Sequence, residues 1–105
     1  QGVVVQQGLC LGIEAIEGTD ALLARVGPLR RDGGGGVLVK LRKPGQSERV
    51  DLPTIGVATV AAAARAGLAG IAVDAGGAWI VDRDAVIETA DRLGLFVKGI
   101  SGDAA

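Results

Sequence analysis

The sequence has 105 residues, 49% hydrophobic and 22% charged, with eleven Lys and Arg against twelve Asp and Glu for a net charge of −1; one domain of this size hides roughly 60–70% of its unfolded surface and needs neither disulfides nor a structural metal. Balanced charge, one Phe, one Trp and no Tyr leave no basic field and no stacking platform, so nucleic acid is excluded as a partner. One Cys and no His exclude a disulfide framework, the usual zinc, haem and iron–sulfur sites, and Ser–His or Cys–His catalysis within the chain.

In chain order, Val3-Val4-Val5-Gln6 and Leu9-Cys10-Leu11 flank Gln7-Gly8, which predicts a tight hairpin with Gly8 at positive φ. Thr19 is placed to cap a helix from about Asp20 to Val26 that Gly27-Pro28 ends. The run of four glycines, Gly33 to Gly36, predicts a mobile loop, and Val37 to Arg42 a strand with Val37, Val39 and Leu41 on one face and Leu38, Lys40 and Arg42 on the other. Lys43-Pro44-Gly45-Gln46 turns that strand. Asp51 to Gly56 is extended, since Pro53 disfavours helix at Leu52, and leads into an alanine-rich helix from about Val57 to Ala66 with so little polar face that it packs on two sides. Ile71-Ala72-Val73 and Ala78 to Val81 around Gly76-Gly77 read as a second hairpin, followed by a helix from about Asp84 to Leu93 and a last strand from Leu95 to Ile100. The order ββαβαββαβ gives an α/β fold: a single compact domain, a mixed β-sheet with about three helices packed on it. Ser101 to Ala105 is expected to fray. There is no Met, and the chain opens directly on Gln1-Gly2-Val3-Val4-Val5, so it reads as a fragment of a longer protein.

Three polar segments fall at element ends. Glu14, Glu17 and Asp20 surround a helix start; such oxygen ligands can hold Mg²⁺, and equally they can complement the helix dipole. Lys40, Arg42 and Lys43 can meet a phosphate, or can be lysines that guard a strand edge from aggregation. The glycine run matches neither GxxxxGK[ST] nor GxGxxG in its strand-to-helix context. Asp51 and Thr54 stand beside a helix start that attracts anions, suited to a general base or metal ligand next to a phosphate; turn and cap hydrogen bonds use the same residues.

Taken together, EAIEGTDA (14–21), VLVK (37–40), KPGQ (43–46), DLPTIG (51–56), AGLAGIA (66–72) and GLF (94–96) resemble, over nearly the whole chain and in the right order, the C-terminal domain of a bacterial enzyme family. The family is the UDP-2,3-diacylglucosamine diphosphatases of lipid A synthesis, in the form distinct from the calcineurin-like metallophosphatases. The resemblance implies a two-domain, Mg²⁺-assisted hydrolase that cleaves the diphosphate of UDP-2,3-diacylglucosamine to 2,3-diacylglucosamine 1-phosphate and UMP, with this chain as its C-terminal domain and the N-terminal domain absent. It implies Asp51 as the catalytic residue, and Glu17, Thr19, Asp20, Lys40, Lys43 and Gln46 as contributors to the surface for a lipid-linked nucleotide-sugar substrate; in the chemistry of diphosphate hydrolysis Asp51 would hold metal or orient water and Thr54 would bond a phosphate oxygen. A cytoplasmic location is expected, and peripheral contact with the inner membrane and a homo-oligomer are compatible with it. The competing reading is a non-catalytic α/β module that binds a phosphorylated or nucleotide-sugar ligand.

Overall fold

In the computed structural model, which describes residues 2–41 and 53–100, Gln7 and Gly8 both take positive φ, 55° and 77°. That pair of angles closes a two-residue hairpin whose twist matches its strands. It joins β1 (Gly2–Gln6) to β2 (Leu9–Ile13), with a bulge between Val4 and Val5. The chain continues through α1 (Thr19–Val26), a 3₁₀ turn (Gly27–Leu29), β3 (Val37–Lys40), β4 (Thr54–Ile55), α2 (Val57–Arg65), β5 (Gly70–Asp74), β6 (Trp79–Ile80), α3 (Arg83–Leu93) and β7 (Phe96–Ile100).

The main sheet has the order β2-β1-β3-β5-β7. β1 is antiparallel to both of its neighbours, whereas β3, β5 and β7 run parallel, so the sheet is mixed as the element order predicts. Val4, Leu38, Ile71 and Val73 alternate onto one face and meet Leu22, Leu23, Val26, Val60, Ala63, Val86 and Ala90 of the three helices in one core. α2 lies between α1 and α3, in contact with both and with β5. Its alanines suit that place, because small side chains let two helices and a sheet approach together. Gly12 serves the same end on β2, where a Cβ would lie 2.7 Å from the Val26 side chain.

Three local expectations change. α1 is capped by Gly18 at φ 91°, and Thr19 is its first residue; the Thr19 hydroxyl is drawn away from the helix by polar partners described below. Gly76-Gly77 does not close a hairpin: β5 pairs with β3 and β7, and β6 pairs in parallel with β4 in a separate two-stranded ladder. A short apolar pair around glycines carries no information about which strand each one joins, and here burial of β5 between parallel neighbours wins. The glycine run is tied down: the Gln6 side chain, 1% exposed, donates to the carbonyls of Arg31 (2.7 Å) and Gly34 (2.9 Å) and accepts from the Arg31 N–H (2.6 Å). Among the described residues, no helix is long and apolar enough to cross a membrane.

Candidate functional site

Because β3, β5 and β7 are parallel, their carboxyl ends gather Lys40, Asp74 and Ile100 at one edge of the sheet. Open α/β sheets bind ligands beyond such ends. The antiparallel β1 begins at that same edge, at Gly2, and β2 ends there, so Glu14 arrives beside the end of β3. The Glu14 N–H donates to the Gly2 carbonyl (2.7 Å), and the Gly2 N–H donates back to Glu14 Oε1 (3.1 Å).

A polar chain is built on that anchor. The Thr19 hydroxyl donates to Glu14 Oε1 (2.7 Å) and accepts from Lys40 Nζ (2.9 Å), a double role that only a hydroxyl can fill. Lys40 Nζ also donates to the Thr54 carbonyl (3.2 Å). Lys40 is 8% exposed, and burying an ammonium is tolerated only where hydrogen-bond acceptors meet it. Alternation along β3 turns Lys40 to the helix side with Leu38, so it is held inside the sheet edge instead of lying as a solvated edge lysine. One fixed cation, with its direction set by β1, α1 and the segment entering α2, thus stands at the carboxyl end of the parallel strands.

The structure brings Thr19, Lys40 and the Thr54 backbone together; the Thr54 side chain is exposed. It sets Glu17 and Asp20 apart from them. Glu17 pairs with Arg25 at 2.7 Å, and Asp20 lines a groove of about 530 Å³ between α1 and α2 with Arg30 and Arg65. Lys43, Gln46 and Asp51 lie outside the described residues. Glu14, weighed in the sequence only as one of three acidic residues, is the inner member of the Lys40 chain; its signal is an acid at a strand end just before a helix start. Asp74 and Arg83, which sequence reasoning did not single out, line a second cleft of about 330 Å³ over the carboxyl ends of β5 and β7. An acid closing a parallel strand ahead of Ala-Gly-Gly was the available clue.

Glu14, Glu17 and Asp20 therefore do not converge on a metal. No group of three or more His, Cys, Asp or Glu side chains that could hold one forms among the described residues.

Arg25, hydrogen-bonded to the Glu17 carboxylate, holds its pKa below the ordinary glutamate value. A folded pKa below the unfolded one makes the pair's contribution present above the unfolded pKa and lost as pH falls through the folded value. The pair is exposed to solvent, so the effect on stability is small. An NMR titration should find Glu17 below the usual glutamate range, and Arg25→Ala should move it back up; an unchanged midpoint in that variant would break the assignment.

Comparison with known proteins shows the family. The description of the LpxI C-terminal domain fits residues 1–98. UDP-2,3-diacylglucosamine pyrophosphatase LpxI of Caulobacter vibrioides is 58% identical over 106 residues, covering 95% of this chain and 38% of that protein. The chain thus spans under half the length of this relative, and all but its last few residues fall within one family description. It belongs to the LpxI C-terminal domain family.

Proposed function

We propose that this chain is the substrate-binding and catalytic C-terminal part of a hydrolase that cleaves the diphosphate of UDP-2,3-diacylglucosamine to 2,3-diacylglucosamine 1-phosphate and UMP, in lipid A synthesis. The observation that carries the reading is Lys40, a buried and directed cation at the carboxyl end of parallel strands, in a chain 58% identical to a pyrophosphatase of that name. Hydrolysis of a diphosphate adds water across one P–O–P bridge and yields two phosphate monoesters. It needs positive charge on the phosphoryl oxygens and an oriented water. Lys40 would meet the diphosphate, with Lys43 beside it in sequence, and Asp51 would orient the water; Gln46 and Thr54 would bond phosphate or sugar oxygens, and Thr19 would fix Lys40.

Asp51 would be the residue of this chain that holds Mg²⁺, and the ion would supply positive charge to the phosphoryl oxygens. The described carboxylates do not assemble a site for it, and no step is assigned to it. The preceding domain would form the other wall of the substrate cleft, and the lipid nature of the substrate favours a cytoplasmic enzyme that touches the inner membrane peripherally.

Release of UMP from UDP-2,3-diacylglucosamine tests the reading. The full-length protein should release it, and the 105-residue chain by itself should release none above background, since a cleft between two domains leaves part of the reacting surface elsewhere. A full-length protein that binds the substrate without turnover would favour the non-catalytic module instead.

A further inference from the structure

The three helices among the described residues cover one face of the main sheet, and the other face carries none of them. Its side chains form two cross-strand rows. One is Ile13, Val3, Val39, Ala72, Lys98, and the other is Cys10, Val5, Val37, Gly70, Phe96, each read from β2 across to β7. Ala72 is 7% exposed and Gly70 is buried, the valines Val3, Val5, Val37 and Val39 are half-buried, and none of the ten joins the cluster that the helices close. Ile13 is 56% and Phe96 45% exposed, and Cys10 is exposed. The Phe96 ring lies over Gly70, where any Cβ would collide with it. Solvent-facing sheets in antiparallel or mixed folds normally alternate to polar residues on the wet side. This one carries a single charge in ten positions, Lys98, on an edge strand.

We propose that this face is the interface between two copies of the chain, packed sheet on sheet about a twofold axis along the central strand β3. Such an axis keeps each row at its own height and reverses its order, so large residues meet small ones. In the second row Cys10 opposes Phe96, Val5 opposes Gly70, and Val37 meets its own copy. In the first, Ile13 opposes the aliphatic stem of Lys98, Val3 opposes Ala72, and Val39 meets its own copy. A pattern that complements itself under reversal is what a twofold interface requires, and aligned sheets interdigitate in this way.

Area and charge narrow the occupant. Five strands about 4.8 Å apart and five residues long at about 3.3 Å present roughly 400 Å² in projection. With side-chain relief, two such faces remove on the order of 1,000 Å² of accessible surface, the lower bound for a specific interface. The expected dimer is therefore weak and depends on concentration. An anionic membrane surface is a poorer match, since such surfaces are bound through several clustered cations and the chain's net charge is −1. The face lies to the side of the Lys40 edge, so pairing leaves that edge clear.

Sedimentation of the 105-residue chain from low to high micromolar concentration should show the mass doubling from 10.5 kDa. Val39→Lys, which sets two ammonium groups against each other on the axis, should abolish the doubling with the circular dichroism spectrum unchanged. Cys10, the sole thiol, gives a readout that needs no variant: its labelling should slow as concentration rises, because Phe96 of the second copy covers it. A chain that stays monomeric throughout overturns the proposal. So does a dimer that survives Val39→Lys with Cys10 equally reactive at every concentration, and so does Cys10 protection in a monomeric full-length protein, which would give the face to another part of that chain.

Discussion

On the proposed function, Asp51→Ala in the full-length protein is expected to lower kcat by about 10²–10⁴-fold, the range for loss of a positioned general base, while the substrate still binds. The expectation rests on the DLPTIG segment. Pro53 follows Asp51 by two residues, and its carbonyl accepts from the Trp79 N–H at 2.7 Å. Ile55 is fully buried in the core, and the Thr54 carbonyl holds Lys40 Nζ. The end of the segment is thus fastened to the same edge that presents the cation. The proposed function assigns Asp51, two residues before this anchor in sequence, to the water that attacks the diphosphate. Were Asp51 only a turn or cap residue, its removal should cost about 0.5–2 kcal/mol of stability and leave the rate per folded molecule unchanged. Substrate affinity measured without Mg²⁺ separates the readings further: loss of a negative charge near a diphosphate should then leave binding equal or tighter. A normal kcat with a lowered Tm would remove Asp51 from the chemistry.

How far the sequence foretold this architecture depends on whether local or distant contacts decide each feature. The Gln7-Gly8 hairpin, the stop at Gly27-Pro28 and the doubly packed α2 were legible, because turn angles, missing donors and a helix without a polar face are written in a few adjacent residues. The partners of β5 and β6 were not. Ile71-Ala72-Val73 and Trp79-Ile80 look alike as short apolar runs, and only the burial of β5 between β3 and β7 separates their fates. Thr19 was legible as a residue at the helix start, but its hydroxyl serves Glu14 and Lys40 while Gly18 takes the cap. That choice depends on Lys40, 21 residues away, so no local pattern reveals it. The same holds for the apolar face around Val39: alternation along β3 shows two faces, and only the placement of all three helices shows which one is left uncovered.

On the proposed function, Lys40→Met is expected to reduce kcat/KM of the full-length protein by about 10²–10³-fold, comparable with removing one preorganised donor from a developing anionic centre. Met is unbranched and one atom shorter than lysine, so it replaces the apolar stem and removes the charged head. Its effect on stability should be small, within about 1–2 kcal/mol in either direction, because loss of two hydrogen bonds is offset by no longer burying an ammonium. Thr19→Val makes the opposite cut. It keeps the charge but removes the acceptor at 2.9 Å and the donor to Glu14 at 2.7 Å, leaving buried polar groups short of partners. That variant should lose about 1–3 kcal/mol of stability and retain more activity than Lys40→Met, since the ammonium persists with the Thr54 carbonyl as its remaining acceptor. Lys40→Arg should not restore the rate, because a planar fork does not fit a socket formed around one compact ammonium. Denaturant midpoints and steady-state kinetics on the three variants decide the matter. If Lys40→Met melts early and turns over normally per folded molecule, the Glu14–Thr19–Lys40 chain is a brace for the sheet edge, and the cation that meets the diphosphate must be sought elsewhere.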